Sequence, residues 1–358
     1  MKKQRMIGID IVKILCALFI FARHAVRMGG CHFYIFNNLI DDLVVALTGP
    51  IMTAFFMISG FSIQYVYGEK RLFEDGNIKT YFVKRVVSLL PMYLFVHIIG
   101  SFFYGHDLGT ALRLLPIETL GIQTWFETLA GFLHNGGTWF VSCLLIGYFI
   151  YPQIGYILQH INIKLKIFIL VILICIEFYS LYIIACYKLG DIYDSPIFRT
   201  VEFLIGVFLC SLREYFKRTF NNWCYVAISI ISVWSICYIC LQKGRLTYFM
   251  CIPVCVLVYA SSRITMRGED ELKNRVLKAG IAVINYASSL CYAFYILQCI
   301  LWTPFYAIFD LSPIFEINRY RCMLAFGLLL AGTIVIHEIY EKPLKKLMNK
   351  CYNKFKSA

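Results

Sequence analysis

Apolar runs of membrane-spanning length recur along the chain, each broken by a short charged or turn-rich segment. A helix that crosses a bilayer needs about 20 mostly apolar residues. Reading the runs against their breaks gives ten candidates: 7–26, 44–66, 82–104, 137–158, 165–187, 197–212, 223–241, 246–262, 281–308 and 320–341. The expected fold is all-α, a polytopic membrane helical bundle of about ten transmembrane helices. The stretch from Thr110 to His134 is amphipathic instead of uniformly apolar, and is expected to lie on the surface or partly re-enter. No repeat at a fixed period is visible, which weakens an inverted-repeat transporter as a reading.

Composition removes the soluble alternatives. The chain is 60% apolar and 15% charged, with a mean hydropathy of +0.69; soluble domains run nearer 45–50% and about 25%. The expectation is one integral membrane domain over 1–348 and a short basic cytoplasmic tail over 349–358, with no further domain after the tenth run. The first run follows Lys2, Lys3 and Arg5 as a secretion signal would. It carries Asp10, Lys13, Arg23 and His24 and has no small-residue cleavage site after it, so a retained span is expected.

The formal charge of +13 sits in short clusters between apolar runs, a distribution that points to topology and away from nucleic acid. With the amino terminus in the cytoplasm, the inner segments hold 24 basic residues and the outer segments seven. That asymmetry predicts both termini on the cytoplasmic side. Most of the 15 cysteines lie inside apolar runs, where packing is expected instead of a disulfide framework or a zinc site; the Cys237-x-x-Cys240 pair is read the same way.

Ionisable groups inside a bilayer cost several kcal/mol unless paired or wet, so those that persist mark a cavity or a pathway. Lys13 and His24 are 11 residues apart, close to three full turns, which puts them on one helix face about 16 Å apart. Asp10 is three residues before Lys13 and is expected to pair with it. Arg85 stands at the mouth of the third run, where Pro91 can unwind or kink the helix. Lys84 and Arg85 are equally well explained as positive-inside anchors. Arg199 and Glu202 are three apart, and Glu202 and Gly206 four apart, so acid and glycine share a face that another backbone can approach. Glu177, His97 and the His337–Glu338 pair stand alone in sequence, and packing partners are expected for them.

At these positions the chain resembles membrane-bound acyltransferase family 3. The first-span pattern of acid, basic residue and histidine is met by Asp10, Lys13 and His24, and the aromatic and Ser-Gly-Phe pattern by Phe55, Phe56, Ser59, Gly60 and Phe61. Lys84, Arg85, Pro91 and Tyr93 fit the third-span entry, and Trp139, Phe140 and Pro152 the Trp-Phe opening and closing Pro of the next span. Arg199, Glu202, Phe203, Gly206, Glu341 and Pro343 complete the match. Three positions depart: Lys13 and Ser88 stand where the family often has Arg, and Gln298 where it often has His. Lys for Arg keeps the charge and loses bidentate phosphate recognition.

The resemblance implies an enzyme that moves an acyl group, commonly acetyl, from cytoplasmic acetyl-CoA or another acyl-CoA to a hydroxyl of a carbohydrate or lipid-linked glycan, in the cell membrane of a bacterium. It implies His24 as general base, Glu202 as a second catalytic group, Lys13 and Arg85 as donor-binding charges, and Asp10, Ser59, Tyr93, Trp139 and Arg199 as substrate-binding residues, with no metal and no nucleic acid. The rival is a polytopic transporter or flippase for a lipid-linked sugar, since buried Lys, His and Glu also line permeation paths. A third reading is an assembly or sensing protein whose polar groups only hold helices together.

Overall fold

A computed structural model describes residues 5–68, 72–73, 77–103, 108–125, 136–187, 193–213, 215–216, 220–242, 245–265 and 275–357. Lys2, Lys3, Lys70, Arg71, Lys188, Lys217, Arg218, Lys243, Arg267 and Lys273, counted above for topology, lie outside it, as does the 126–134 part of the amphipathic stretch. The chain forms two compact units. The first gathers Met1–Ile20, Asp42–Lys70 and Gln153–Cys291; the second gathers Phe21–Asp41, Arg71–Pro152 and Tyr292–Ala358.

The elements are α1 (Ile7–Arg27), a two-stranded hairpin of β1 (Tyr34–Ile35) and β2 (Asn38–Leu39), α2 (Asp41–Ala46), α3 (Thr48–Tyr67), α4 (Asn77–Phe103) and α5 (Leu108–Leu120). After these come α6 (Trp139–His160), α7 (Ile163–Phe178), α8 (Ser180–Tyr187), α9 (Pro196–Arg213), α10 (Asn222–Gln242), α11 (Cys251–Arg263) and α12 (Arg275–Phe309). Then α13 (Asn318–Ile336) passes through a π turn at His337–Glu341 into α14 (Lys342–Ser357). The all-α expectation holds.

Seven helices among the described residues are long and apolar enough to cross a membrane: Asp41–Tyr67, Asn77–Ser101, Trp139–His160, Asn222–Gln242, Leu246–Arg263, Val276–Trp302 and Asn318–Phe355. An eighth results if α7 and α8 count as one span. The run expected as a single helix over 165–187 bends by 55° between them. Ser180 donates from its hydroxyl to the Glu177 carbonyl at 2.6 Å, a local bond that competes with the helical ladder where the bend falls. The other two of the ten expected spans are α1 and α9. Their 21 and 18 residues extend about 31 Å and 27 Å, but each carries at least three charged side chains. What sets them apart is charge, not length.

In the first unit α3 and α9 cross with their backbones in contact. A β-carbon on Gly60 would strike the Phe203 carbonyl, and one on Gly206 the Met57 carbonyl. The face shared by Glu202 and Gly206 therefore does meet a neighbouring backbone, as their spacing predicts. Small residues allow such an approach in lipid, where helices gain nothing from excluding water and must associate through dispersion and hydrogen bonds. Arg263 bonds the carbonyls of Arg213 and Phe216 at 2.7 and 2.6 Å and closes the end of α9, where cations are favoured by the helix dipole.

In the second unit Pro91 sits inside a continuous α4. Hydroxyls from other helices bond the backbone around it: Tyr292 reaches the Leu89 carbonyl at 3.1 Å and Tyr340 the Pro91 carbonyl at 3.2 Å. Tyrosine hydroxyls from neighbouring segments thus brace α4 near Pro91, and the helix runs through the proline without unwinding. Tyr81 fastens α4 to α6 through the Tyr148 carbonyl at 2.9 Å. The α5 helix is amphipathic, with Leu114 and Glu118 buried, Leu112 and Leu120 exposed, and a break at Gly121, whose φ is +65°.

Gly206→Leu is expected to lower stability by at least about 1–3 kcal/mol, because the added atoms meet backbone that has no rotamer to retreat into. Gly280→Ala and Gly327→Ala, where a β-carbon meets nothing within 4 Å, should be neutral or slightly stabilising. Thermal unfolding and monodispersity of the three proteins in one detergent measure the contrast.

Candidate active site

Three buried polar groups are assembled by the fold, and each is described within its own unit. The first surrounds His24, at the end of α1. Its Nδ1 is 2.7 Å from Gln298 Oε1, and its Nε2 is 3.9 Å from the Cys299 sulfur. His24, Gln298 and Cys299 are all buried. Gln298 and Cys299 are successive residues of α12, so their side chains leave the helix about 100° apart and meet the two nitrogens of one imidazole. An amide oxygen only accepts, so the proton sits on Nδ1 and the lone pair is left on Nε2. Phe21 stacks on Trp302 at 6.2 Å, and Gly29 leaves room for the indole ring.

The second group is centred on Asp10 of α1, in the first unit. Its carboxylate accepts from Arg5 Nε at 2.8 Å and from the Ser288 hydroxyl at 2.6 Å. The expected Asp10–Lys13 pairing is electrostatic, the Asp10 charge acting on Lys13, while the hydrogen bonds of Asp10 go to Arg5 and Ser288 and the half-buried Lys13 ammonium has none among the described residues.

The third group is also in the first unit and joins α3, α7 and α9. Arg199 Nη1 donates to both oxygens of Glu202, each at 2.7 Å, and its Nε to the Tyr193 carbonyl at 2.9 Å. Thr53 donates to Glu202 Oε1 at 2.6 Å, and the Phe56 ring stands 5.6 Å from the guanidinium. The three-residue spacing of Arg199 and Glu202 thus makes an ion pair within one helix. A cavity of about 310 Å³ opens onto Thr53, Glu177, Arg199 and Glu202. Glu177 Oε2 is buried without a hydrogen bond among the described residues, and the acid faces the charges of Glu202 and Arg199 across this cavity.

The remaining site residues have separate surroundings. Arg85 lies over the Tyr148 ring at 5.6 Å. Tyr93 accepts from Gln123 Nε2 at 2.9 Å, and Trp139 is buried against Phe140. Ser59 bonds the Phe55 carbonyl one turn back at 2.8 Å. His97, alone in the sequence, meets buried Glu118 at 3.0 Å. His337 pairs with Glu341 at 2.5 Å and not with adjacent Glu338, since residues four apart share a helix face and neighbours do not. Among the described residues no three His, Cys, Asp or Glu side chains gather as metal ligands would, and none of the 15 cysteines is in a disulfide.

Sequence reasoning missed Cys299, Glu118 and Gln123 as partners of candidate site residues. Gln298 was visible as a departure from a pattern, with no sign that it holds the histidine. The one available signal was polarity in apolar surroundings: Glu118 is the only acid of α5, and Gln298 interrupts a run from Leu290 to Trp302.

A bundle with membrane-length helices and a buried imidazole whose free nitrogen is set by an amide has the features of a membrane enzyme. A family model described as an acyltransferase domain matches residues 6–337, and the chain belongs to that family. It is a membrane acyltransferase. No curated protein and no solved structure matches the chain.

Arg199→Ala should destabilise the protein by about 3–5 kcal/mol, since it strands a buried carboxylate. Arg199→Met combined with Glu202→Leu should recover most of that loss. Denaturant unfolding of the parent, the single and the double variant measures both.

Proposed function

We propose that this enzyme transfers an acyl group, acetyl in the simplest case, from a cytoplasmic acyl-CoA to a hydroxyl of a surface or cell-envelope carbohydrate, with His24 as the general base. In this reading residues 1–348 act as one integral membrane acyltransferase of ten spans with both termini in the cytoplasm of a bacterial cell. The observation that supports it is the Nδ1 contact of His24 with Gln298. Acyl transfer to an alcohol needs a neutral base aimed at the hydroxyl proton, and an imidazole whose Nδ1–H is engaged offers its Nε2 lone pair.

The donor is a substrate that carries phosphates, and Lys13 and Arg85 are its proposed partners. Lys13 suits the role because Asp10 hydrogen-bonds elsewhere, which leaves an ammonium to meet an anion. Arg85 contributes a guanidinium at the entry of α4, oriented by Tyr148. Glu202 is proposed to act through Arg199 and Thr53, shaping the cavity it shares with Glu177, while Asp10, Ser59, Tyr93, Trp139 and Arg199 position substrate. Loss of charge at Lys13 or Arg85 then weakens donor binding and leaves the base in place.

His24→Ala is expected to abolish acyl transfer, by 100-fold or more, with the protein still expressed and folded. Lys13→Ala and Arg85→Ala should raise the acyl-CoA concentration needed for half-maximal rate and change the maximal rate less. Labelled acetyl-CoA with the purified protein measures all three. A carrier for lipid-linked sugar would leave the thioester intact. In cells, an alkali-labile acyl increment on surface glycans should vanish with the His24 variant, as mass spectrometry before and after mild alkali reports.

A further inference from the structure

Cys299 has no role in the reaction as described above, yet its sulfur is the nearest nucleophile to the proposed base among the hydrogen-bond partners of His24. The three side chains form a series: a thiol 3.9 Å from Nε2, an imidazole, and an amide oxygen 2.7 Å from Nδ1. Nucleophile, base and a third group that orients the base is the arrangement that activates sulfur or oxygen for covalent acyl transfer.

Two further features lie at the sulfur. The sulfur is buried, which disfavours a thiolate, and against that act the positive charge of Arg23 and the Gly137 N–H at the turn that begins α6. A donor at a helix start is where developing negative charge is stabilised. A β-carbon built on Gly136 would stand 3.8 Å from this sulfur, so the turn before α6 packs directly against it.

We propose that Cys299 is a covalent nucleophile, and that the acyl group passes through a Cys299 thioester before it reaches the acceptor hydroxyl. The proposal rests on the acyltransferase reading and adds an intermediate to it. In the first half, the Cys299 S–H gives its proton to His24 Nε2 and the sulfur attacks the donor's thioester carbonyl. A carbon–sulfur bond to Cys299 forms, the donor's carbon–sulfur bond breaks, and the leaving thiolate takes the proton back from His24. In the second half, the acceptor hydroxyl gives its proton to Nε2 and its oxygen attacks the Cys299 thioester. The ester forms, the bond to Cys299 breaks, and the sulfur recovers the proton. The exchange of one thioester for another is nearly balanced in energy and stores the acyl group on the protein after the donor thiol has left. His24 remains the base of both halves, and Gln298 is its positioning residue.

The test uses the purified full-length protein and acetyl-CoA carrying a labelled acetyl group, without acceptor. The expected result is a burst of free thiol close to one per chain. Acetyl label should remain on the denatured protein, be released by neutral hydroxylamine, and map to the peptide containing Cys299. Cys299→Ala should lose label, burst and at least 100-fold in turnover. In Cys299→Ser any label should resist neutral hydroxylamine, as an oxygen ester does. With an acceptor present, initial rates at several donor concentrations should give the parallel reciprocal plots of a two-stage exchange.

If Cys299→Ala turns over as the parent does, or the parent carries no label while it acetylates acceptor, transfer is direct. The inference then falls, and an inactive His24→Ala still upholds the base. If the parent does not consume acetyl-CoA with or without acceptor, the acyl-CoA reading falls with it. Should Cys299→Ala fail to fold by size exclusion, the label on the parent and its chemistry in Cys299→Ser decide the matter.

Discussion

A charge removed from water and placed in a bundle made for hydrocarbon must find its counterpart inside the protein, and this requirement organises the polar interior. Arg199 and Glu202 satisfy one another along a single helix, with Thr53 completing the carboxylate. Asp10 does so with Arg5 and Ser288, His97 with Glu118, and Glu341 with His337 and Lys345. Each arrangement fixes the rotation of its helix, because a turn of one residue would carry a charged group into lipid. The same requirement explains why α1 and α9 carry more charge than an apolar span: their polar side chains are buried among protein groups.

Close backbone approach works with these pairings. Gly60 and Gly206 let α3 and α9 touch, and that contact brings the Thr53 hydroxyl within bonding distance of Glu202. Around Pro91 the hydrogen bonds do the joining, since Tyr292 and Tyr340 bring hydroxyls to the Leu89 and Pro91 carbonyls of α4. Packing and hydrogen bonding are thus two aspects of one constraint: no polar group can turn to solvent once the bundle is in lipid.

The catalysis proposed for His24 draws on that rigidity. An imidazole bonded at 2.7 Å on one side and bordered by a sulfur on the other has little freedom to rotate, and a base held in one tautomer loses nothing to reorientation during proton transfer. Gln298 achieves with an uncharged amide what a carboxylate does in other acyl-transfer sites. It orients the ring without adding a negative charge to a dry interior, where such a charge would be costly. Lys13 represents the opposite case, a cation left without a hydrogen-bond partner where an anionic donor is proposed to bind.

Much of this was legible in the order of the residues. Apolar runs fixed the all-α bundle and most helix positions, because hydropathy over about 20 residues depends on composition alone. The spacing of Glu202 and Gly206 foretold a close crossing, since a helix turns a fixed angle per residue. Local geometry also explains the bend within 165–187, where the side chain of Ser180 competes with the ladder in a run of uniform hydropathy. What only the tertiary structure decided is which residue meets which across long separations. Asp10 bonds Ser288 instead of Lys13, His97 finds Glu118, and His24 rests between Gln298 and Cys299, 274 and 275 positions away. Such pairings follow from how helices pack in three dimensions, and a one-dimensional pattern of polarity states the need for a partner without identifying it.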